Sequence, residues 1–417
     1  MEYFAVKGGR PLEGTIAVHG AKNSALPILA ATLLVRGESV IHNCPDLTDT
    51  NAALDILASL GCRVRREGRT VTVDTTGRTG TAVPDELMGQ MRASVLFLGS
   101  LLAQGGEAIA SWPGGCALGT RPIDLHIRAF QALGTEVQDQ DGKLVCQTKA
   151  LRGRRLALPF PSVGATENAM LAACGATGVT IIDNAAREPE IQDLQGFLQK
   201  LGADIQGAGT SQIVIRGGRS LYPGEYTVMA DRIVTATYLC AVAAAGGEGA
   251  FLGTDGSSLL PVIEALQQAG CRVEREPDRV WIRQRGVVTG IGRVTTEPYP
   301  GFPTDAQPLL AAALAGGRGD TQIAETIFDR RFRYVEGLRT MGARIRVEGT
   351  TAWITGTKLR GAAVEASDLR GGAALTIAAL GAEGESEIRA LSHIDRGYEC
   401  LENAFQTLGG QIRRMNR

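Results

Sequence analysis

The fold is decided by a short stretch, LASLGCRV at residues 57–64, because five further copies of it follow along the 417-residue chain. The others are FQALGTEV (130–137), LQKLGADI (198–205), LQQAGCRV (266–273), LRTMGARI (338–345) and FQTLGGQI (405–412). Their glycines, roughly 70 residues apart, are Gly61, Gly134, Gly202, Gly270, Gly342 and Gly409. Glycine suits the residue after a helix, which usually takes the left-handed backbone conformation. The repeat therefore predicts six strand–helix modules.

A second helix is predicted in each module, and its sequence is apolar on every side. The six candidates begin near Ser24, Ala93, Ala169, Ile233, Pro308 and Ala373, as in SALPILAATLLV from Ser24. A helix without a polar face is buried all round, so sheets must surround it. Alternating runs such as TVTVDT (70–75) and TAWITG (351–356) predict half-exposed strands of those sheets.

Six modules predict two domains of three. Pro223 and Gly224 interrupt the pattern after the third module. The period is longer than that of common solenoids, which favours two closed globules, each with three buried helices at its centre. An extended array of six units is the alternative.

The composition excludes several classes of protein. Hydrophobic residues make up 44% of the chain, which excludes a disordered protein. The net charge of -1 gives no support to nonspecific nucleic-acid binding. The eight cysteines and four histidines are too scattered for a metal site, so no metal is predicted. No signal peptide and no membrane-spanning run is recognisable, so we expect a cytoplasmic protein that binds no membrane.

Five groups of residues depart from the repeat, and several precede a buried helix. They are 20–24 (GAKNS), 112–122 (WPGGCALGTRP) with 123–128, 161–168, 301–307, and the arginine-bearing segments 328–332, 367–370 and 393–398. Taken singly, most are also typical of helix caps or solvated side chains. Cys116 differs, because a thiol in a glycine-rich loop near an arginine is in the setting that makes cysteine reactive. We expect the other seven cysteines to be packing residues.

Taken together, these segments predict a site for an anionic ligand. Helices that start on one face bring their positive ends together, and two domains provide a cleft. The cations expected there are Lys22, Arg92, Arg121, Arg331, Arg370 and Arg396. In a nearly neutral protein they indicate a highly anionic small substrate. Cys116 and Asp305 are the candidate proton-transfer groups.

The motifs also occur in the order typical of one family. GAKNSALPIL, RASVLFLG, WPGGCALGTRPIDLHI, PSVGAT, NAAREPEI, FPTDAQ, ETIFDRRF, SDLR and HIDRGYE extend over nearly the whole chain. The chain thus resembles the UDP-N-acetylglucosamine enolpyruvyl transferases. The resemblance implies an α/β fold of two inside-out, barrel-like domains of three modules each. Residues 22–229 would form one domain, carrying the Cys116 loop, and residues 1–21 plus 230–417 the other, with the active site in the cleft between them.

The resemblance further implies a reaction. The enolpyruvyl group of phosphoenolpyruvate is transferred to the 3-hydroxyl of UDP-N-acetylglucosamine and phosphate is released, which is the first committed step of peptidoglycan synthesis. No cofactor is required. By resemblance, Cys116 is the proton donor and the site of alkylation by fosfomycin, and Asp305 is the base for the 3-hydroxyl. Lys22, Arg121 and Arg396 look like the clamp on phosphoenolpyruvate.

The resemblance also assigns residues to substrate binding. Those matching positions around the UDP-sugar, or supporting the site, are Asn23, Arg92, Arg121, Pro122, Ile123, Asp124, Leu125, His126, Ser162, Val163, Gly164, Ile327, Arg331, Asp368 and Arg370. One departure is Phe160-Pro161, where some members carry a lysine. This removes one possible contact to the diphosphate.

Two rival functions remain open at this point. The shikimate-pathway enolpyruvyl transferase shares the six-module fold, but the Cys116 loop and the sequence PIDLH argue against it. An inactive paralogue that senses nucleotide sugar is disfavoured by the joint presence of Lys22, Cys116, Asp305 and Arg396. The sequence leaves the oligomeric state open.

Overall fold

The predicted buried helices are present in all six modules. The computed structural model describes residues 2–112 and 123–416. We call six helices the core helices: Lys22–Ala31, Phe97–Gly105, Val163–Gly175, Arg232–Ala245, Gln307–Ala315 and Leu369–Gly381. Nearly every residue in them is buried, as expected for helices without a polar face.

Six outer helices each end two residues before a repeat glycine. They are Thr48–Ser59, Asp124–Ala132, Pro189–Lys200, Leu260–Gln268, Val335–Thr340 and Leu401–Thr407. All six repeat glycines have positive φ, from 80° at Gly409 to 100° at Gly202. Only glycine takes this conformation without strain, so the recurring residue is the local cause of each helix end.

The remaining helical elements are short. Among the described residues, one α-helix, Asp85–Gln90, lies outside the repeat. The same part of the chain contains five 3-10 helices: Thr32–Leu34, Arg92–Leu96, Ser257–Leu259, Arg331–Tyr334 and Leu391–His393. No helix within residues 2–112 and 123–416 combines the length and apolar character needed to cross a bilayer.

The chain divides into two compact units. The first unit comprises described residues 19–112 and 123–229, and the second unit residues 2–18 and 230–416. Each has its own hydrophobic core, built around its three core helices. In the second unit these helices pack against one another in all three pairings.

Three sheets are described in the first unit. In spatial order, one contains Glu225–Thr227, Glu38–His42, Thr70–Asp74 and Arg63–Glu67, and another contains Asp204–Gln206, Gln212–Gly217, Gly178–Asp183 and Arg155–Ala157. The third contains Glu107–Ser111, Lys143–Gln147 and Glu136–Gln140. A parallel bridge from Ala82 to Ile109 stands where the other sheets have a fourth strand.

The described residues of the second unit form three four-stranded sheets. They contain Ala363–Glu365, Glu385–Arg389, Glu2–Lys7 and Gln411–Asn416; Arg272–Glu276, Arg279–Gln284, Gly247–Leu252 and Leu12–Ala17; and Gly292–Thr295, Asp320–Ala324, Thr351–Thr355 and Arg344–Glu348. Each four-stranded sheet in the described chain has one parallel pair at an edge and two antiparallel pairs.

Some modules are completed by strands that are distant in sequence from the rest of the module. Glu2–Lys7 pairs with Gln411–Asn416, and Leu12–Ala17 runs parallel to Gly247–Leu252. The N-terminal strands therefore finish two modules of the second unit. In the first unit, Glu225–Thr227 is the parallel partner of Glu38–His42, so the last strand of that unit completes its first module.

Candidate active site

The sequence-predicted residues fall into three groups. Cys116, Arg121 and Pro122 lie outside the described residues. A second group belongs to the first unit and clusters around Lys22 and His126. The third belongs to the second unit and surrounds Asp305.

Lys22 is the first residue of a core helix and is almost fully buried. Its exposed fraction is 9%, and Nζ donates a hydrogen bond of 3.1 Å to Oδ2 of Asp49. Asp49 is itself buried, in the first turn of the outer helix Thr48–Ser59. The ion pair therefore fixes an ammonium group beside a helix N-terminus, a position that favours an anion. Asn23 follows it and is half-buried.

His126 lies in the core of the first unit, in the first turn of the outer helix Asp124–Ala132. Its Nδ1 is 2.8 Å from Nδ2 of Asn168, which also donates to the carbonyl of Val95. Burial, and to a lesser extent the charge of Arg92, lowers the pKa of His126 to about 3. The imidazole is therefore neutral at physiological pH.

Gly164 brings a second predicted segment to this histidine. A Cβ atom at Gly164 would lie 3.1 Å from Cε1 and 3.3 Å from Nε2 of His126. Ser162 caps the core helix Val163–Gly175, because its hydroxyl accepts from the N–H of Ala165 at 3.4 Å. The structure thus brings Arg92, His126 and Gly164 together from three separate segments.

Four further predicted residues flank this cluster. Ile123 is buried and precedes the helix, Asp124 is exposed, and Leu125 and Val163 are half-buried. The first turns of helices 124–132 and 163–175 therefore present both backbone N–H groups and side chains, the combination typical of phosphate-binding sites.

Asp305 is held between two buried arginines of the second unit. Nη2 of Arg331 donates to Oδ1 at 2.6 Å, and Nε of Arg370 donates to Oδ2 at 3.3 Å. The side chains of Arg331 and Arg370 are 1% and 2% exposed, while the Asp305 side chain is 28% exposed. Charge-assisted bonds of this kind fix the orientation of the carboxylate, and its partial exposure leaves it accessible to a ligand.

Arg331 and Arg370 are themselves held by neighbouring groups. Arg331 donates from Nε and Nη2 to the carbonyl of Thr304, and its Nη1 lies 3.9 Å from Asp368. The guanidinium of Arg370 lies 5.3 Å from the ring centre of Tyr398. Burial lowers the pKa of Arg370, but Tyr398 and Asp305 outweigh this effect and raise it above the usual value.

Asp368 places Arg370 by capping the core helix Leu369–Gly381. Its Oδ1 accepts from the N–H groups of Arg370 and Gly371 at 3.1 and 3.0 Å. This fixes the backbone of the first turn, from which the Arg370 side chain reaches Asp305. Arg370 is therefore buried and held in place, and the alternative of a solvated arginine is wrong for this residue.

The last two predicted residues lie in turns of the second unit. Ile327 is half-buried, and its N–H donates to Glu325 at 2.9 Å. Arg396 is half-buried and follows Asp395, whose two carboxylate oxygens accept from Arg414 at 2.6 and 3.0 Å. This bidentate pair anchors the turn that carries Arg396.

Sequence reasoning missed several residues that organise the site. Asn168, Glu325 and Tyr398 are buried and make the side-chain contacts that hold the predicted residues. One signal was available, because a polar residue inside an otherwise apolar core helix, as at Asn168, must find hydrogen-bond partners.

The cysteine expectation is largely met within the described residues. Six cysteines are buried: Cys44, Cys62, Cys146, Cys174, Cys240 and Cys271. Burial raises the pKa of Cys62 to about 11, and that of Cys146, Cys174 and Cys271 to about 12. Cys400 is exposed, so its assignment as a packing residue was wrong. It occupies a turn before the outer helix Leu401–Thr407, where its side chain is left at the surface.

No group of three or more potential metal ligands is assembled within residues 2–112 and 123–416.

Comparison with known proteins identifies the family. A family model described as EPSP synthase (3-phosphoshikimate 1-carboxyvinyltransferase) matches residues 6–405. UDP-N-acetylglucosamine 1-carboxyvinyltransferase 2 of Caldanaerobacter subterraneus subsp. tengcongensis is 48% identical over 416 residues, covering 100% of both chains. The chain belongs to the UDP-N-acetylglucosamine 1-carboxyvinyltransferase family. A member from Dichelobacter nodosus is 45% identical, covering 100% of this chain and 99% of its own.

Solved structures confirm the predicted fold. The enolpyruvyl transferase NikO from Streptomyces tendae superposes with a TM-score of 0.90 at 26% identity, covering 100% of this chain and 99% of NikO. EPSP synthase from Acinetobacter baumannii has a TM-score of 0.79 at 19% identity, with both chains fully covered. The resemblance seen in the motifs and the six-module α/β fold are therefore both confirmed.

Proposed function

We propose that this protein transfers the enolpyruvyl group of phosphoenolpyruvate to the 3-hydroxyl of UDP-N-acetylglucosamine and releases phosphate. The observation that carries this proposal is the similarity to transferases of that name, 43% to 48% identical over essentially the whole chain. The reaction begins peptidoglycan synthesis. Because its substrates are made in the cytoplasm, we place the protein there.

The chemistry requires one acid and one base. Cys116 protonates the methylene carbon of phosphoenolpyruvate while Asp305 takes the proton of the sugar 3-hydroxyl, whose oxygen attacks the neighbouring carbon. The tetrahedral intermediate then loses a proton from its new methyl group and expels phosphate. The arginine pair around Asp305 supports the role of base, because it holds the carboxylate in one orientation.

Positive charge balances the anionic substrate. Lys22, Arg121 and Arg396 bind the phosphate and carboxylate of phosphoenolpyruvate and steady the charge that moves onto phosphate as it leaves. The burial of the Lys22–Asp49 pair supports this role, because a rigid ammonium group needs no reorganisation when the substrate binds.

The UDP-sugar is held mainly by the first unit. Arg92, Ser162, Val163, Gly164 and the segment 123–126 supply cationic, hydroxyl and backbone N–H groups for the diphosphate and the sugar. Asn23 and Ile327 complete the contacts, and Asp368 supports them through Arg370. Phe160 is 45% exposed at the position where some relatives carry a lysine, so the diphosphate loses one cation here.

The shikimate-pathway reaction is the second candidate, because the description of the matching family model names that activity. Phosphate release from phosphoenolpyruvate decides between them. We expect turnover with UDP-N-acetylglucosamine and none with shikimate 3-phosphate. Activity with shikimate 3-phosphate alone would refute the proposal.

A cysteine pair tests the proposed acid. Cys116→Ser should nearly abolish turnover at neutral pH, because a serine hydroxyl is a far weaker acid than a thiol, while UDP-sugar binding remains measurable by calorimetry. Cys400→Ser is the matched control, since it removes an exposed thiol. Unchanged turnover in Cys116→Ser contradicts the assignment.

A further inference from the structure

Glu325 is a buried carboxylate with four hydrogen-bond donors around it. It follows the strand Asp320–Ala324 and is 2% exposed. Its Oε1 accepts from the hydroxyl of Thr296 at 3.0 Å and from the N–H groups of Ile327 and Phe328 at 2.9 and 3.1 Å. Its Oε2 accepts from the hydroxyl of Thr304 at 3.0 Å. Burying a carboxylate is costly, and these bonds offset the cost.

One side of this network fixes the segment that contains Ile327. Two consecutive N–H groups converge on Oε1, which forces the chain to turn tightly after Glu325. Thr296 reinforces the turn, because its hydroxyl also accepts from the N–H of Thr326 at 2.9 Å. The position of the Ile327 backbone is therefore set by the Glu325 carboxylate.

The other side of the network reaches Asp305 through Thr304. The Thr304 hydroxyl binds Oε2 of Glu325, while its carbonyl accepts both Nε and Nη2 of Arg331 at 3.1 and 3.0 Å. Nη2 of Arg331 also binds Asp305. Thr304 is thus tied at its side chain and at its carbonyl, and the neighbouring Asp305 is fixed with it.

We propose that Glu325 is a positioning residue both for binding of the UDP-sugar and for deprotonation of its 3-hydroxyl. Through Oε2 and Thr304 it sets the orientation of Asp305, the base for the sugar hydroxyl, and through Oε1 it sets the Ile327 segment that contacts the UDP-sugar. This inference rests on the proposed function. The single carboxylate thereby fixes the position of the base relative to the sugar hydroxyl. Small misplacements of reacting groups lower the reaction rate strongly.

The two oxygens can be tested separately. Thr304→Val removes the hydroxyl on Oε2 at nearly constant shape and leaves the three donors on Oε1 in place. We expect kcat to fall roughly 10-fold while the KM for UDP-N-acetylglucosamine stays within about 2-fold. Glu325→Ala removes both sides, so kcat should fall and the dissociation constant for UDP-N-acetylglucosamine, measured by calorimetry, should rise roughly 10-fold.

Glu325→Gln tests the same network with a side chain of nearly the same shape, in case Glu325→Ala does not fold. Its amide oxygen can replace Oε1, and its NH₂ group can donate to Thr304, so it should bind UDP-N-acetylglucosamine more tightly than Glu325→Ala and recover part of kcat. Thr355→Val is the matched control. It removes a hydroxyl that donates to Asp320 at 2.7 Å on the surface of the same sheet, and it should leave kinetics unchanged.

The outcomes separate this inference from the proposed function. If the unmodified protein turns over but Thr304→Val and Glu325→Gln lower only the urea midpoint, with kcat and KM unchanged, Glu325 is merely structural and the inference is wrong. If the unmodified protein does not transfer the enolpyruvyl group to UDP-N-acetylglucosamine, the proposed function fails and the inference fails with it.

Discussion

Acid should destabilise the folded protein through His126. Burial and the charge of Arg92 lower the pKa of this residue to about 3, against 6.5 for an ordinary histidine. Below about pH 6.5 the His126 side chain therefore binds a proton in the unfolded chain but stays neutral in the folded protein. The contribution of the neutral imidazole to stability is complete above that pH and is lost as the pH falls towards 3.

The magnitude follows from the difference in pKa. Each pH unit below 6.5 costs about 1.4 kcal/mol, so that at pH 5 the free energy of unfolding is lower by about 2 kcal/mol. Other groups also titrate in this range, and the comparison therefore uses His126→Gln, which has no imidazole. Its pH dependence between about 7.5 and 5 should be weaker than that of the unmodified protein by this amount, as measured by urea denaturation.

The hydrogen bonds also determine which imidazole nitrogen carries the proton. Oδ1 of Asn168 accepts from the N–H of Gly99 at 3.0 Å, and Nδ2 donates to the carbonyl of Val95 at 2.9 Å. The amide cannot be reversed without losing both bonds, so Nδ2 must also donate to Nδ1 of His126. The proton therefore sits on Nε2, the nitrogen nearest Gly164.

Long-range ¹H–¹⁵N correlation spectra of histidine-labelled protein test both points. We expect one histidine to show the Nε2–H tautomer and to remain neutral down to about pH 5, and its signals should be absent from His126→Gln. A proton on Nδ1, or titration of this residue near pH 6.5, would refute the reasoning.

Two further predictions concern packing around the candidate site. Gly164→Ala should weaken UDP-N-acetylglucosamine binding measured by calorimetry, because the new methyl group would lie 3.1 Å from His126. The control Gly89→Ala, whose methyl group would have no neighbour within 4 Å, should bind the UDP-sugar normally. Equal affinities of the two variants would contradict the proposed contact. Arg331→Ala should lower the free energy of unfolding by about 3 kcal/mol, because it leaves Asp305 without one of its buried partners. The control is Lys358→Ala, which breaks an exposed ion pair and should leave the urea midpoint unchanged. If Arg331→Ala also unfolds at the same urea concentration as the unmodified protein, the buried pair does not contribute to stability.

The fold could be predicted because its signals are local. Helix ends depend on the backbone conformation of a single residue, and all six repeat glycines adopt the left-handed conformation that their position predicted. Burial of the core helices follows from composition alone. Exact starts were less predictable: the helix expected near Ala93 begins with the 3-10 helix Arg92–Leu96 before the α-helix from Phe97, and the helix expected near Ala169 begins at Val163.

The contacts within the site could not be predicted in the same way. Asn168 lies 42 residues from His126, and Glu325 lies 21 residues from Thr304. Such pairs meet only because strands and helices from different segments pack in one register, and a single sequence carries no record of that register. The sequence could name residue types that suit the chemistry, but not the polar groups that hold them.

The helix N-termini show how structure decides between a cap and a functional group. Asp231 and Asp368 accept N–H groups of the first turns of their helices, as caps do. Asp305 precedes a core helix in the same unit, yet the helix Gln307–Ala315 has no side-chain cap, and both oxygens of Asp305 bind arginines instead. Three aspartates that look alike in the sequence thus have different roles. Asp231 and Asp368 are occupied as helix caps, whereas the arginines leave Asp305 oriented and partly exposed, which is compatible with the role of base that we propose for it.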